Sequence, residues 1–264
     1  MKRFFVKVKN ILEDKIIIKD KEKLHYLKDV LRLKPKEKVI IFTEGEKEYL
    51  AEIEKVLPYK IILGIKETKT PYQGALVKLT VACALAKKSK MDEIIDKLTQ
   101  LGVERIIPIE TERTVVKLDK EKKIIRLKRW QKIALNSSQQ SQRSKLPIIE
   151  PIKDIKELLK EKNYDLKLIP TLEEKGVPLK EILSKIKPKN ILVLIGPEGD
   201  FSPCEVKLAK IEGFIPVSLG DLVLRVETAA VSIVSILSYV FSTNYHESSS
   251  NTHEFKNVRR KNTI

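Results

Sequence analysis

The 264-residue sequence predicts an α/β protein in two parts, a small β-rich N-terminal unit and a larger unit built on a mainly parallel sheet. Three observations predict it. Up to about residue 70, short runs of β-branched and apolar residues follow one another between turn residues, as strands do. Beyond that point, apolar runs alternate with amphipathic helical segments, the pattern of βα units. Near the end, Ile191-Leu192-Val193-Leu194-Ile195 is apolar throughout, as expected of a strand covered on both faces.

Residues 39–42, 49–56 and 60–65 read as strands bounded by Gly45, Pro58 and Gly64, with a helix-like insert around residues 24–33. They predict a small β-barrel over residues 1–70. Residues 68–74, with Pro71 and Gly74, read as a linker. Residues 76–85 read as a strand, 91–101 as an amphipathic helix stopped by Gly102, 105–109 as a strand and 121–140 as a long helix. Ser202-Pro203-Cys204-Glu205 reads as a capping box with proline at the first helical position, and Gly213 ends that helix. Residues 214–218 return as a strand. Residues 227–241 are Ala, Val, Ile, Leu and Ser on nearly every side, so they predict a helix buried on most sides. That is more apolar surface than one sheet face needs, and it points to a second subunit. Residues 75–244 form the larger unit in this reading. The polar residues 245–264, rich in Ser and Asn, predict a disordered tail.

Fifty-two Lys and Arg against 36 Asp and Glu leave a net charge of +16, which predicts a polyanionic partner. Lys interleaved with Glu also makes an ordinary solvated surface, so the local signal matters more. Between residues 117 and 132 eight basic side chains (Lys117, Lys120, Lys122, Lys123, Arg126, Lys128, Arg129, Lys132) face only Asp119 and Glu121. This stretch is expected to meet phosphate. Cys83 and Cys204 form no disulfide framework, and three histidines give no zinc spacing, so no metal is expected. Cys204 stands in a helix's first turn, where a thiol is acidified, or is simply a small buried residue. The first seven residues lack the apolar core of a signal peptide and no apolar run reaches spanning length. A soluble, cytoplasmic protein without membrane contact is expected.

The chemistry is expected in two loops, Gly196-Pro197-Glu198-Gly199 and the stretch from Leu219-Gly220 to Arg225. Glycines there permit close approach of a ligand to main chain, and Pro197 stiffens the turn. Neither loop is a Gly-x-Gly-x-x-Gly dinucleotide loop nor a Walker loop, so a nucleoside triphosphate or NAD site is not supported. A flat nucleoside held by backbone groups is.

Specific motifs extend this reading. Leu194-Ile195-Gly196-Pro197-Glu198-Gly199, Phe201-Ser202 with Glu205, and Leu219-Gly220 with Leu224-Arg225 and Glu227-Thr228-Ala229 resemble the signature of the RsmE family of SPOUT-class RNA methyltransferases. The likeness continues in Met91-Asp92, Leu101-Gly102-Val103, Thr111-Glu112-Arg113, Trp130-Gln131-Lys132, and His25-Tyr26-Leu27 with Val30-Leu31-Arg32. It covers nearly the whole chain apart from the tail. The resemblance implies a PUA-like barrel followed by a SPOUT α/β domain with a C-terminal trefoil knot, acting as a homodimer. It implies S-adenosyl-L-methionine as cofactor and methylation at N3 of a specific uridine in small-subunit (16S) ribosomal RNA, free or in the assembled 30S subunit.

By the same resemblance, the cofactor would be held at Leu194, Ile195, Gly196, Pro197, Glu198, Gly199, Leu219, Gly220, Leu224 and Arg225. A uracil N3 must lose its proton before or during attack, so charge spreads over the ring carbonyls. Arg225, in the second loop, is the candidate to stabilise that charge, unless it is tied in an ion pair with Glu198 or Glu227. Glu198 is a weak candidate for the base, against a structural role accepting loop amide hydrogens; the base is otherwise unassigned. Arg3, Arg32, Lys90, Arg113 and Arg143 are candidate RNA contacts, each equally able to make a surface ion pair.

This chain departs from the family pattern at several positions. Asp200 stands where a second glycine is usual, Asp221-Leu222 where Pro-Arg is usual, Val226 where Thr is usual, and Gln100 and Gln139 where a carboxylate is common. The changes at Asp200 and Leu222 keep open a non-catalytic RNA-binding or ribosome-assembly factor of the same fold. A SPOUT methyltransferase acting on another RNA site is the other alternative.

Overall fold

The structure is a computed structural model that describes residues 1–43, 47–70 and 77–241, the Lys88 side chain excepted. The expected turn at Gly45, residues 71–74 of the expected linker and the expected tail lie outside the described residues.

The N-terminal sheet contains β1 (Lys2–Phe5), β2 (Ile11–Leu12), β3 (Lys15–Ile18), β4 (Lys38–Phe42), β5 (Glu48–Leu57) and β6 (Lys60–Lys69). Between β3 and β4 lie the short helix α1 (Lys21–His25) and a π-helical turn over Tyr26–Val30, where the insert was expected. The strands pair in the order β1-β4-β5-β6-β3-β2, parallel for β1 with β4 and antiparallel elsewhere. No ladder joins the edges β1 and β2 among the described residues, so the expected barrel is an open path of six strands. Two register shifts between β5 and β6 bend this ten-residue ribbon around a core of Phe4, Ile16, Ile18, Leu27, Ile41, Ile53, Ile61 and Leu63. Gly64 does not bound a strand. It lies inside β6, where a Cβ would come 2.6 Å from the Glu54 carboxylate. Thr68 and Lys69, expected in the linker, continue the same strand.

The second sheet is wholly parallel among the described residues and runs β10-β8-β7-β13-β11-β14-β12, with β9 beside β8. Its elements in chain order are β7 (Lys78–Ala84), α2 (Lys88–Gln100), β8 (Arg105–Glu110), α3 (Lys120–Gln140), β9 (Ile148–Ile149), β10 (Lys153–Asp154) and α4 (Ile155–Leu159). There follow β11 (Leu166–Pro170), β12 (Val177–Pro178), α5 (Leu179–Leu183), β13 (Asn190–Ile195), α6 (Pro203–Ile211), β14 (Ile215–Ser218) and α7 (Val226–Phe241).

The apolar run of β13 explains itself in this setting. Ile191, Val193 and Ile195 enter a core with α2, α3 and α7, while Leu192 and Leu194 enter a second core with α4 and α6. Strand β7 divides the same way, with Val81 and Cys83 on one side and Ala82 and Ala84 on the other. A strand buried on both faces has no polar positions to alternate. Helix α7 departs from expectation: Ala230, Ile233, Val234 and Leu237 are buried, but Ile236, Tyr239 and Val240 are exposed. It is buried on one face.

The two sheets meet beside α3. The Phe5 amide donates to Gln139 Oε1 at 3.3 Å, which is the use this chain makes of a glutamine where a carboxylate is common. Arg3 pairs with Glu48 at 2.5 Å and donates to Ser144 Oγ at 3.3 Å. Gln100 donates to Asp96 Oδ2 on its own helix at 2.9 Å. No helix among the described residues is long and apolar enough to cross a membrane.

Candidate functional site

Strand β13 ends at Ile195 and releases residues 196–201 at the carboxyl edge of the sheet, where ligands of open α/β sheets bind. Leu194, Ile195 and Pro197 are buried; Glu198 and Gly199 are exposed. A Cβ on Gly196 would lie 3.1 Å from the Phe201 ring and 3.2 Å from Asp200 Oδ1, so the loop is packed around the missing side chain. Asp200 takes φ 58°, a left-handed conformation that Asp tolerates better than most residues. Its amide donates to the Pro197 carbonyl at 3.0 Å, closing the turn.

The Asp200 carboxylate fastens the loop to its neighbours. Oδ2 accepts from Thr171 Oγ1 at 2.8 Å and from the Leu172 amide at 2.6 Å, while Oδ1 accepts from the Phe201 amide at 2.8 Å. From the other side Arg113 Nη1 donates to the carbonyls of Gly199 and Phe201, at 2.9 and 3.0 Å, and pairs with Glu173 at 2.6 Å. The Glu173 amide in turn donates to Thr171 Oγ1 at 3.1 Å. Arg113, Glu173, Thr171 and Asp200 thus form a ring around the loop that closes through the backbone of Gly199 and Phe201.

The following helix is held as the sequence predicted. Ser202 Oγ accepts from the Glu205 amide and Glu205 Oε2 accepts from the Ser202 amide, at 3.3 and 2.9 Å. Glu205 does more than cap. Its second oxygen accepts from the Glu112 amide at 2.8 Å, tying α6 to the loop after β8. Cys204 is exposed, contrary to the expectation of burial. Cys83 is fully buried at the end of β7, and burial, with the nearby Glu198 charge, pushes its thiol up to about 12.

The second loop leaves β14 after Ser218, whose hydroxyl accepts from the Gly220 amide at 3.3 Å. Gly220 has φ 126°, a conformation reserved for glycine. Leu219 packs on the core beneath and Leu224 is half-buried, whereas Leu222 and Val223 are 80% and 75% exposed. The backbone N–H groups of Gly196, Glu198 and Gly199 in the first loop, and of Leu222, Val223 and Leu224 in the second, have no acceptor among the described residues. Two glycine loops with free main-chain donors beside one sheet edge fit a nucleoside held by backbone.

Lys90, from the first turn of α2, joins these loops. Its ammonium lies 3.3 Å from Glu198 and 3.8 Å from Glu227, the latter in the first turn of α7. Glu198 therefore faces a cation, not the loop amides expected of it. Arg225 is exposed and meets neither Glu198 nor Glu227, both of which face Lys90, and it has no carboxylate partner among the described residues. Its carbonyl accepts from the Ala229 amide at 2.8 Å, so α7 itself holds the residue at the loop's end.

The other expected RNA contacts are placed differently from one another. Arg3 is committed to Glu48 and stacks on the Phe42 ring at 4.9 Å. Arg143 donates to the Thr99 carbonyl at 3.0 Å, and burial lowers it to about 10. Arg113 and Lys90 brace the loops. Only Arg32, exposed at φ 49°, is without an intramolecular partner among the described residues. Sequence reasoning missed Thr171, Glu173 and the second role of Glu205, because residues 29 to 93 positions away from their partners leave no local pattern. Among the described residues no group of three or more His, Cys, Asp and Glu could hold a metal ion.

The fold is thus a parallel α/β sheet with two glycine loops at its carboxyl edge, joined to a smaller β unit. Comparison with known proteins is specific. A family model described as an RNA methyltransferase domain matches residues 73–238, and one described as an RNA methyltransferase PUA domain matches residues 18–63. Ribosomal RNA small subunit methyltransferase E of Mesomycoplasma hyopneumoniae is 32% identical over 238 residues, 89% of this chain and 98% of that protein. The protein of the same name from Rickettsia conorii is 31% identical over 236 residues, 88% and 93% of the two chains. The solved structure of ribosomal RNA small subunit methyltransferase E from Neisseria gonorrhoeae bound to S-adenosyl methionine superposes with TM-score 0.80 at 26% identity, covering 91% of this chain and 98% of that one. The chain belongs to the RNA methyltransferase family of ribosomal RNA small subunit methyltransferase E.

Proposed function

We propose that this protein transfers a methyl group from S-adenosyl-L-methionine to N3 of a uridine in small-subunit ribosomal RNA. The observation that carries the reading is the pair of loops at 196–201 and 219–225, whose free backbone donors lie beside a packed glycine at Gly196. The relatives named above, one of them solved with the donor bound, support the donor and the RNA class.

The donor supplies an electrophilic methyl on a sulfonium. The protein's task is alignment, which needs neither metal nor a covalent intermediate. Leu194, Ile195, Gly196, Pro197 and Gly199, with Leu219, Gly220 and Leu224, hold the adenosine through main chain. Glu198 and Lys90 set the spacing between the loops. Arg225, unpaired and carried at the start of α7, stabilises negative charge on the uracil carbonyls as N3 loses its proton.

The C-terminal segment is proposed to be knotted. Strand β14 lies beyond β11, yet α7 packs back on the α2 side of the sheet beside β7 and β13, and this return across the sheet supports the knot. The exposed Ile236, Tyr239 and Val240 of α7, with Leu222 and Val223 nearby in sequence, support a homodimer. Residues 1–70 and 75–244 act as the PUA-like and SPOUT domains, and ribosomal RNA places the work in the cytoplasm. The Asp200 departure argues against a non-catalytic factor, because its carboxylate reinforces the first loop.

Titration with the donor, followed by transfer of labelled methyl to small-subunit ribosomal RNA and to 30S subunits, tests the reading. Binding with transfer is expected. Tight binding without transfer to either substrate would identify a non-catalytic relative.

A further inference from the structure

We infer that the outer face of the N-terminal part of α3 is a binding strip for the phosphate backbone of the RNA substrate; the inference rests on the proposed methyl transfer to RNA. Helix α3 has 21 residues and is about 30 Å long. Of the basic residues between positions 117 and 132, Lys122 pairs with Asp119, Lys123 with Glu110 and Arg129 with Asp92. Lys117, Lys120, Arg126, Lys128 and Lys132 meet no carboxylate among the described residues, and all but Arg126 are exposed. Residues 133–140 of the same helix carry no charged side chain. The positive charge is therefore confined to residues 120–132, the N-terminal part of the helix.

That part is the one next to the site. Lys123 Nζ lies 2.6 Å from Glu110, the last residue of β8 at the carboxyl edge of the sheet. Arg129 pairs with Asp92 at 2.8 Å, two residues along α2 from the Lys90 that reaches Glu198. The uncharged part leads instead to the N-terminal sheet through Gln139 and Phe5.

Helix stability does not require this distribution. Arg126, Lys128 and Lys132 lie beyond the first turn, where the helix dipole neither favours nor opposes them, and the last turn, where cations would help the helix, carries none. A distribution without a folding gain marks functional surface. Ile124 and Ile125, 55% and 64% exposed among these lysines, add apolar surface for sugar and base. Four of the five basic residues first assigned to RNA are occupied within the fold, which leaves α3 to supply the phosphate contacts near the site.

The test compares two full-length triple variants. Lys120→Gln/Lys128→Gln/Lys132→Gln empties the strip. Lys185→Gln/Lys187→Gln/Lys189→Gln removes equal charge from exposed positions ahead of β13, at the opposite edge of the sheet. Binding to transcribed small-subunit ribosomal RNA is measured from low to high salt, with donor affinity and melting temperature as controls for folding. The α3 variant is expected to bind about tenfold more weakly with a log–log salt slope lower by about 2 to 3, and the other variant to keep the wild-type slope. An unchanged slope in the α3 variant overturns the strip. So does an equal loss in both variants, or a loss toward polyglutamate with the RNA slope retained, which would indicate an acidic protein partner. If wild type binds RNA with the steep slope but transfers no methyl, the methyl-transfer reading fails instead, and the two failures are told apart.

Discussion

The hydroxyl of Thr171 donates to Asp200 Oδ2 at 2.8 Å, joining the loop after β11 to the glycine loop after β13. The Asp200 carboxylate thus becomes a fastening. Thr171→Val removes the donor while keeping the shape. It is expected to cost about 1 kcal/mol of stability and to weaken donor binding several-fold. Asp200→Gly relieves the left-handed backbone but frees the loop, so donor affinity falls while the melting temperature changes little. Calorimetry on both single variants and the double should show non-additive losses; strictly additive ones would mean that the two residues act separately.

Gly196→Val tests the pocket itself. The added Cβ would press on the Phe201 ring at 3.1 Å, and its two methyls would extend further. Donor binding is expected to fall below detection in a protein that still melts cooperatively. Wild-type calorimetric affinity would refute the placement of the adenosine.

Arg225→Ala separates binding from chemistry. Because Arg225 braces no other residue among those described, its loss should leave fold and donor affinity intact while transfer to RNA drops by about two orders of magnitude or more. Wild-type turnover by this variant would remove Arg225 from the mechanism.

Glu205 is expected to matter more to stability than its cap partner. Ser202→Ala loses one capping bond, about 1 kcal/mol. Glu205→Ala strands the buried amide of Ser202 and removes the link to the Glu112 amide, and should cost about 2 kcal/mol. Chemical denaturation of the two variants gives the order directly.

The amino edge of the second sheet carries an acid-sensitive cluster. Burial raises Glu161, but hydrogen bonds from Arg105 and Lys153, at 2.6 to 3.0 Å, outweigh it and lower the carboxyl from an ordinary 4.5 to about 2. A carboxyl lowered on folding stabilises fully above its unfolded value and loses that contribution as pH falls through its folded one. The stability difference between wild type and Glu161→Gln should therefore be constant above about pH 5 and shrink toward pH 2. A difference independent of pH over that window would contradict the assignment.

Much of this architecture is legible in the sequence. The run at β13 announces burial on both faces, and the capping box at Ser202 and Glu205 places the start of α6 to the residue, because both signals are local. Strand β1 leaves no apolar pattern in the sequence, since Lys2 and Arg3 occupy half of it and its register is set by pairing with β4. The site divides the same way. The glycine loops were readable from composition, whereas the ring through Arg113, Glu173, Thr171 and Asp200 exists only because parallel strands bring three loops to one edge. Lys90 likewise takes the ion pairs with Glu198 and Glu227 that were the alternative to a catalytic role for Arg225, a choice decided by the packing of α2 against α7.

Mass spectrometry of nucleosides from small-subunit ribosomal RNA, after incubation with the protein and methyl-labelled S-adenosylmethionine, tests the central claim most directly. The account predicts label in N3-methyluridine at a single position, absent with Arg225→Ala. Label in a ribose-methylated nucleoside, or none in a protein that binds the donor, would contradict it.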